Sequence, residues 1–198
     1  MARMFTGVAL ALLACLSALP ALADGDARDA LFNAYQKMVS AHYVADTVTV
    51  DGKGQKSHST LEFETMNRFR ASTGDTAMVV LPEGVWMRSG NGEWMQPPID
   101  MSAMFKGMLP MAMDEVRSGT TNVKDEGMRT INGQDLRAIS YDVDSKVMGI
   151  SVSSHNTVFL DDSGKIVRSE SDSTVMKQTS HTVQTLRYDD SIRVTAPR

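Results

Sequence analysis

The sequence predicts an α+β protein in which one amino-terminal helix precedes a strongly curved antiparallel sheet or barrel of about eleven short strands. Three observations lead to this class. An apolar stripe of helical period follows an export-type leader, apolar and polar residues then alternate with a period of two, and turn signals separate the alternating stretches at short intervals. One further short helix, rich in methionine, is predicted to be inserted into the series of strands.

The first 23 residues have the pattern of an export signal. Arg3 supplies the positive end, residues 8–13 the apolar run, and residues 21–23 (Ala-Leu-Ala) a cleavage site. The apolar run is shorter than the roughly 20 residues that span a bilayer, so no transmembrane segment is expected. We therefore expect a signal peptide over 1–23 and a single exported domain over 24–198.

Cys15 is the one cysteine of the chain and lies inside the leader. The stretch 12–15 (Leu-Leu-Ala-Cys) is similar to the site at which bacterial lipoproteins are cleaved and acylated, so lipid anchoring at Cys15 is the alternative to cleavage after Ala23. Without the leader, 19 basic and 24 acidic residues remain, a formal balance of −5 with no basic run. This charge pattern argues against a nucleic-acid partner and against electrostatic docking on a membrane.

The mature chain opens with a predicted amphipathic helix. Asp26 is its expected N-cap, and the helix is expected to end near Ser40. Its apolar positions follow the spacing i, i+3, i+4, i+7, which marks one buried stripe: Leu31, Ala34, Tyr35 and Met38.

From His42 onward the period changes to two, which is typical of antiparallel strands with one buried and one solvated face. In the early strands, apolar residues alternate with polar neighbours and are predicted to face one side together. We interpret that side as a ligand cavity, and its predicted residues are Leu61, Phe63, Phe69, Val85 and Met87. The same alternation predicts strands over residues 76–81 and 174–180 and a last edge strand over 192–195. In the second half, Asn132-Gly133 is a hairpin signal.

The stretch from residue 85 to 113 interrupts the regular pattern. A hairpin carries both tryptophans, Trp86 and Trp94, which either line the rim of the cavity or serve as structural residues of the hairpin. The following segment has helical spacing and ends at Pro110. Since methionine is an adaptable apolar residue, we interpret this helix as a lid, formed by Met101, Met104, Phe105 and Met108.

Candidate chemistry is sparse elsewhere. The four histidines lie in four different segments without ligand spacing, and no nucleophile or phosphate-binding motif is present, so we expect neither an enzyme nor a cofactor. One alternative is a Cu(I) site, because residues 101–104 and 111–113 hold paired methionines and thioethers suit soft metals. Another is a structural or interaction module whose core is filled by its own side chains.

Four stretches together resemble the LolA/LolB-like family of outer-membrane lipoprotein carriers, and the resemblance covers essentially the whole mature chain. Residues 64–70 (Glu-Thr-Met-Asn-Arg-Phe-Arg) look like an early strand of the carriers, and 85–94 like their tryptophan strand and hairpin. Residues 157–168 look like a later hairpin, and 188–197 like the closing strand. The carriers have an arginine and a proline in the early strand, where this chain has Thr65 and Met66.

The resemblance implies an eleven-stranded half-barrel with an apolar concave side that is closed by helices. It also implies a non-enzymatic periplasmic carrier for a lipid or for the acyl chains of a lipoprotein. An envelope protein that donates or accepts this cargo is an implied further partner.

Overall fold

The computed structural model describes residues 24–97, 117–147 and 150–197, and within them one long helix precedes ten strands. Helix α1 spans Asp24–Val39. The strands are β1 Tyr43–Asp51, β2 Lys56–Thr65, β3 Arg68–Thr73, β4 Thr76–Leu81, β5 Gly84–Ser89, β6 Thr120–Ile131, β7 Gln134–Val147, β8 Ile150–Leu160, β9 Ile166–Val175 and β10 Gln178–Tyr188.

All ten strands form one antiparallel sheet in the order β5-β4-β3-β2-β1-β10-β9-β8-β7-β6. Every neighbouring pair is consecutive in the chain except β1 and β10, which join the two ends of the series. The sheet is not closed in the described part of the chain, since β5 and β6 are its outer strands. The class predicted from the sequence is therefore confirmed as an open antiparallel sheet with few helices, while the predicted lid lies outside the described residues.

Helix α1 packs on one face of the sheet through the predicted apolar stripe. Leu31 and Ala34 are fully buried, and Tyr35 and Met38 are partly buried against the same cluster. The helix begins at Asp24, so Asp26 lies within its first turn instead of capping it. The main core is formed where this stripe meets the sheet, and its buried sheet residues include Ala45, Phe63, Val123, Ile139, Tyr141, Val143, Val158, Leu160, Ile166 and Leu186.

A hydrogen bond between two tyrosines fixes α1 on the sheet. The hydroxyls of Tyr35 on α1 and Tyr141 on β7 lie 2.6 Å apart. Burial raises the pKa of both hydroxyls, so each stays protonated and one donates to the other. On the amino-terminal half of the helix, Arg28 donates to the carbonyl oxygen of Thr120 at 2.9 Å. One polar contact therefore lies ahead of the buried apolar stripe and the other lies within it.

The carboxyl-terminal segment differs from its prediction. Residues 192–195 are predicted to form a last edge strand, but they have no regular secondary structure. Instead, the backbone N–H of Val194 donates to Glu64 at 2.9 Å, and Arg68 donates to the Val194 carbonyl oxygen at 3.3 Å. Side chains of β2 and β3 thus replace the ladder of a neighbouring strand, and Val194 is buried as a result.

The turn between β9 and β10 is also placed differently. The sequence predicts one strand over residues 174–180, whereas the chain reverses at Met176 and Lys177. Both residues have positive φ angles, 49° and 66°, which are unfavourable for side chains that carry a Cβ. The predicted hairpin at Asn132-Gly133 has the same pair of positive φ angles, 51° and 81°, with residues suited to them.

We therefore expect the double substitution Met176→Asn/Lys177→Gly to raise the free energy of unfolding by roughly 1–2 kcal/mol, because it relieves left-handed backbone strain. Urea denaturation measures the change. The reciprocal substitution Asn132→Met/Gly133→Lys is the control and should lower stability by a similar amount. A neutral or destabilising effect of the first substitution would show that the turn is not strained.

Candidate ligand-binding face

The strand register divides the sheet into two faces. We call the face against which α1 packs the helix face. Ala45 on β1 lies on it, as do its direct cross-strand partners, Leu61 on β2 and Leu186 on β10. The opposite side is called the far face. Because side chains alternate along each strand, the register assigns each candidate residue to one of these two faces.

All five predicted cavity residues lie on the helix face. One row runs across β2 to β5 through Phe63, Phe69, Val80 and Val85, and a second runs through Leu61, Ala71, Met78 and Met87. Phe63 and Val85 are buried, whereas Leu61, Phe69 and Met87 are partly buried. The register therefore brings them together as one apolar surface.

Helix α1 covers only part of the helix face. Among the described elements, its principal contacts are with β6 and β9. The apolar rows on β2 to β5 begin in the core cluster at Phe63 and continue toward the other edge of the sheet, as far as Val85 and Met87 on β5. The apolar helix face is thus wider than the helix that packs on it.

Aromatic residues mark the middle of the helix face. The rings of Tyr43 and Phe63 are stacked with centroids 4.8 Å apart, and Tyr188 meets Tyr43 edge-on at 6.0 Å. The Tyr188 hydroxyl donates to the carbonyl oxygen of Ile166 at 2.8 Å, and burial raises its pKa to about 12. These rings join the core beneath α1 to the apolar rows of β2 to β5.

Farther along the central strands the helix face becomes polar. Two rows cross β1, β10 and β9, the first through Thr47, Gln184 and Ser169 and the second through Thr49, Thr182 and Ser171. We call these six residues the polar patch. All six are half-buried, and none of them is charged. No feature of the sequence distinguishes them from solvent-facing strand residues, since only the register shows that they share the side of the apolar core.

The two tryptophans lie on the far face. Trp86 and Trp94 pack with Val79, Leu81 and Val194 in a separate apolar cluster, and the Arg88 guanidinium lies 4.9 Å from the Trp94 ring centroid. The predicted return of the hairpin is present as a single bridge between Met87 and Met95. Of the two interpretations of the tryptophans, this placement favours the structural one, because they do not share a face with Leu61 and Phe63.

Two arginines near the position of the carriers' arginine also point to the far face. Arg70 pairs with Glu62 at 3.3 Å, and Arg68 lies 3.9 Å from Glu83 besides holding the carboxyl-terminal segment. Both guanidinium groups are therefore engaged away from the helix face. The predicted lid residues Met101, Met104, Phe105 and Met108 lie outside the described residues, as do the paired methionines of the copper alternative.

Two histidines that are far apart in the sequence meet in one row of the far face. Asp142, His155, Asp172 and His181 stand opposite one another on β7 to β10. His155 Nδ1 lies 2.7 Å from Asp142, and His181 Nδ1 lies 2.8 Å from Asp172. No group of three or more His, Cys, Asp or Glu side chains in the described ranges has the geometry of a metal site.

Comparison with known proteins supports the fold alone. No family model and no curated protein matches the sequence. Among solved structures, the chain is similar to the lipoprotein LppX of Mycobacterium tuberculosis, with a TM-score of 0.55 and 13% identity over 87% of this chain and 100% of LppX.

Two weaker similarities accompany it. MucB, solved in complex with MucA(peri), has a TM-score of 0.42 and 13% identity over 87% of this chain and 57% of MucB. The LolA superfamily protein NE2245 of Nitrosomonas europaea has a TM-score of 0.35 and 7% identity over 83% and 94% of the two chains. The likeness to LppX, whose fold is LolA-like, shows that this chain has the LolA-like fold. Within the described residues, no helix is both long and apolar enough to cross a membrane.

Asp142 makes the stability of the protein depend on pH. The hydrogen bond from His155, aided by Asn122 and by nearby Lys124, holds the pKa of Asp142 below its usual value. The stabilisation is therefore complete above the usual carboxyl pKa of about 4 and is lost as the pH falls through the lowered pKa. Asp142→Asn should reduce the free energy of unfolding at pH 6, by less than about 1 kcal/mol for such an exposed pair.

Urea denaturation between pH 6 and pH 2 measures this difference, which should shrink toward the acidic end. Asp144→Asn is the matched control, because Asp144 is exposed on the same strand and face. A loss of stability that is the same for both variants, or that does not change with pH, would contradict the assignment.

Proposed function

We propose that this protein is a non-enzymatic periplasmic carrier that holds the acyl chains of a lipid or lipoprotein against the helix face. Residues 1–23 serve as its signal peptide, and 24–198 form a single domain shaped as a half-barrel. Leu61, Phe63, Phe69, Val85 and Met87 line the cavity.

One observation carries the proposal, namely the width of the apolar helix face. The rows on β2 to β5 continue the apolar surface of the core beyond the contacts of α1. An apolar sheet surface without a cover is unfavourable in water and promotes aggregation, so a stable protein needs an occupant or a lid at this place. An acyl chain fits this need, because it buries apolar area without requiring hydrogen bonds.

Connectivity supports a lid over the same surface. The edge strands β5 and β6 are consecutive in the chain, so the segment between them has to lead from one edge of the sheet to the other. This segment contains Met101, Met104, Phe105 and Met108. We propose that these residues cover the bound chains, because flexible, polarizable methionines adapt to acyl chains of different length and shape.

The binding face is tested by replacing Leu61, which is partly buried on β2, with Gln. Loss of one partly buried apolar contact should lower the affinity for a fluorescent fatty acid about tenfold, as expected for roughly 1.5 kcal/mol of lost burial. The control is Val48→Gln, because Val48 is 41% exposed on the far face of the neighbouring strand and its replacement should leave the affinity unchanged.

Native mass spectrometry of the protein released gently from its own envelope gives the independent measurement. Added mass in lipid increments supports the carrier, and a bare chain under these conditions favours a core filled by its own side chains. If Leu61→Gln and the native protein bind the fatty acid with equal affinity, Leu61 does not contact the ligand.

The lid is tested by comparing two double substitutions at the same positions. Met104→Ser/Met108→Ser removes apolar surface and should shorten the residence time of the bound fatty acid at least tenfold. Met104→Leu/Met108→Leu keeps the apolar surface and should retain binding. If the leucine variant loses fatty-acid binding as strongly as the serine variant and also loses stoichiometric Cu(I) uptake, the thioethers act as metal ligands. The assignment of these residues to a lid is then wrong.

A further inference from the structure

We propose that the polar patch binds the neutral, hydroxylated head group of the carried amphiphile, which makes the preferred cargo a glycolipid with an uncharged sugar. This inference rests on the proposed function, because it assigns the head group of a ligand whose chains lie on the neighbouring apolar rows. The argument depends on three properties of the patch, which are its position, its hydrogen-bonding capacity and its lack of charge.

The position of the patch is next to the apolar surface and on the same side of the sheet. Along β1, the buried Ala45 is followed on the helix face by Thr47 and Thr49. Along β10, the buried Leu186 is followed in the same way by Gln184 and Thr182. On each of these two adjacent strands, the next residue on the helix face after the apolar one, two positions along the chain, is polar. A boundary of this kind matches the junction between the chains and the head group of an amphiphile.

The patch has hydrogen-bonding groups beyond those used between its own members. Gln184 Nε2 donates to the Thr47 hydroxyl at 3.1 Å, and the hydroxyls of Thr49 and Thr182 lie 3.1 Å apart. Each hydroxyl offers one donor and two acceptor positions, so these contacts leave capacity for a ligand. Such groups both donate and accept, as do the hydroxyls of a sugar.

The absence of charge selects among ligands. A phosphate or carboxylate head group is usually bound through Arg or Lys, and none of the six patch residues is basic. An acyl chain lying on the patch would leave half-buried hydroxyls without partners, which is unfavourable for each of them. The same three strands carry charged residues on the far face, including Asp46, Arg168, Glu170 and Asp172. On the helix face of these strands the one charged residue is Asp51 at the end of β1, and its carboxylate already accepts the backbone N–H groups of Lys53 and Gln55. The charge of these strands is therefore concentrated on the far face, and the patch itself is neutral.

The test compares three lipids with identical oleoyl chains, namely monogalactosyl dioleoylglycerol, dioleoylglycerol and dioleoyl phosphatidylglycerol. Displacement of a bound fluorescent fatty acid gives the affinity of each for the full chain. We expect the galactolipid to bind about tenfold more tightly than either of the others, the effect of one or two net hydrogen bonds. The substitution Thr49→Val/Thr182→Val keeps the side-chain shape and should abolish this preference without weakening dioleoylglycerol.

The control is Thr185→Val, which removes an exposed hydroxyl from the far face of β10 and should leave the preference intact. Equal binding of all three lipids by the native protein, or tighter binding of phosphatidylglycerol, would overturn the head-group assignment while acyl-chain binding stands. Binding of none of the three would overturn the proposed function itself. Because the comparison of lipids uses the native chain, it does not depend on whether the variants fold.

Discussion

The packing of one helix against one face of an open sheet is the constraint on which the rest of this structure depends. Leu31 and Ala34 of α1 are fully buried, and they belong to one apolar cluster with buried sheet residues such as Ile139 and Val158. An antiparallel sheet tolerates water on one face, so charged residues such as Asp46 and Glu170 lie on the far face, beside smaller apolar clusters, and the helix face has to be covered. Since α1 has its main contacts with only some of the strands, the remaining apolar surface is the feature on which the proposed function rests.

The sequence was sufficient where local pattern and tertiary structure agree. The period of 3.6 predicted the buried stripe of α1, the alternation in β2 to β5 predicted which side chains share a face, and strand β4 has the bounds that its pattern predicts. The hairpin at Asn132-Gly133 was also predictable, because its two residues favour positive φ angles. In these places each residue carries its own local signal.

The sequence was insufficient where structure depends on partners distant in the chain. Met176 and Lys177 form a turn although neither favours it, since pairing of the strands on both sides imposes the conformation. Val194 is bound by side chains of other strands, which no alternation reveals. The polar patch and the row of aspartates and histidines likewise exist only through register. A search for closely spaced histidines in the sequence does not detect the row. Its members are neighbours across strands but lie far apart along the chain.

The pairing of β1 with β10 has a consequence for how the chain folds. All other strand pairs are hairpin neighbours that close short loops, whereas this pair joins residues as distant as Tyr43 and Tyr188. Loop closure over such a separation is slow, so the two runs of consecutive strands can form early and the seam between them closes late. The seam also runs through the middle of the helix face, between Ala45 and Leu186. A nascent chain therefore cannot complete its helix face until its last strand has been synthesised.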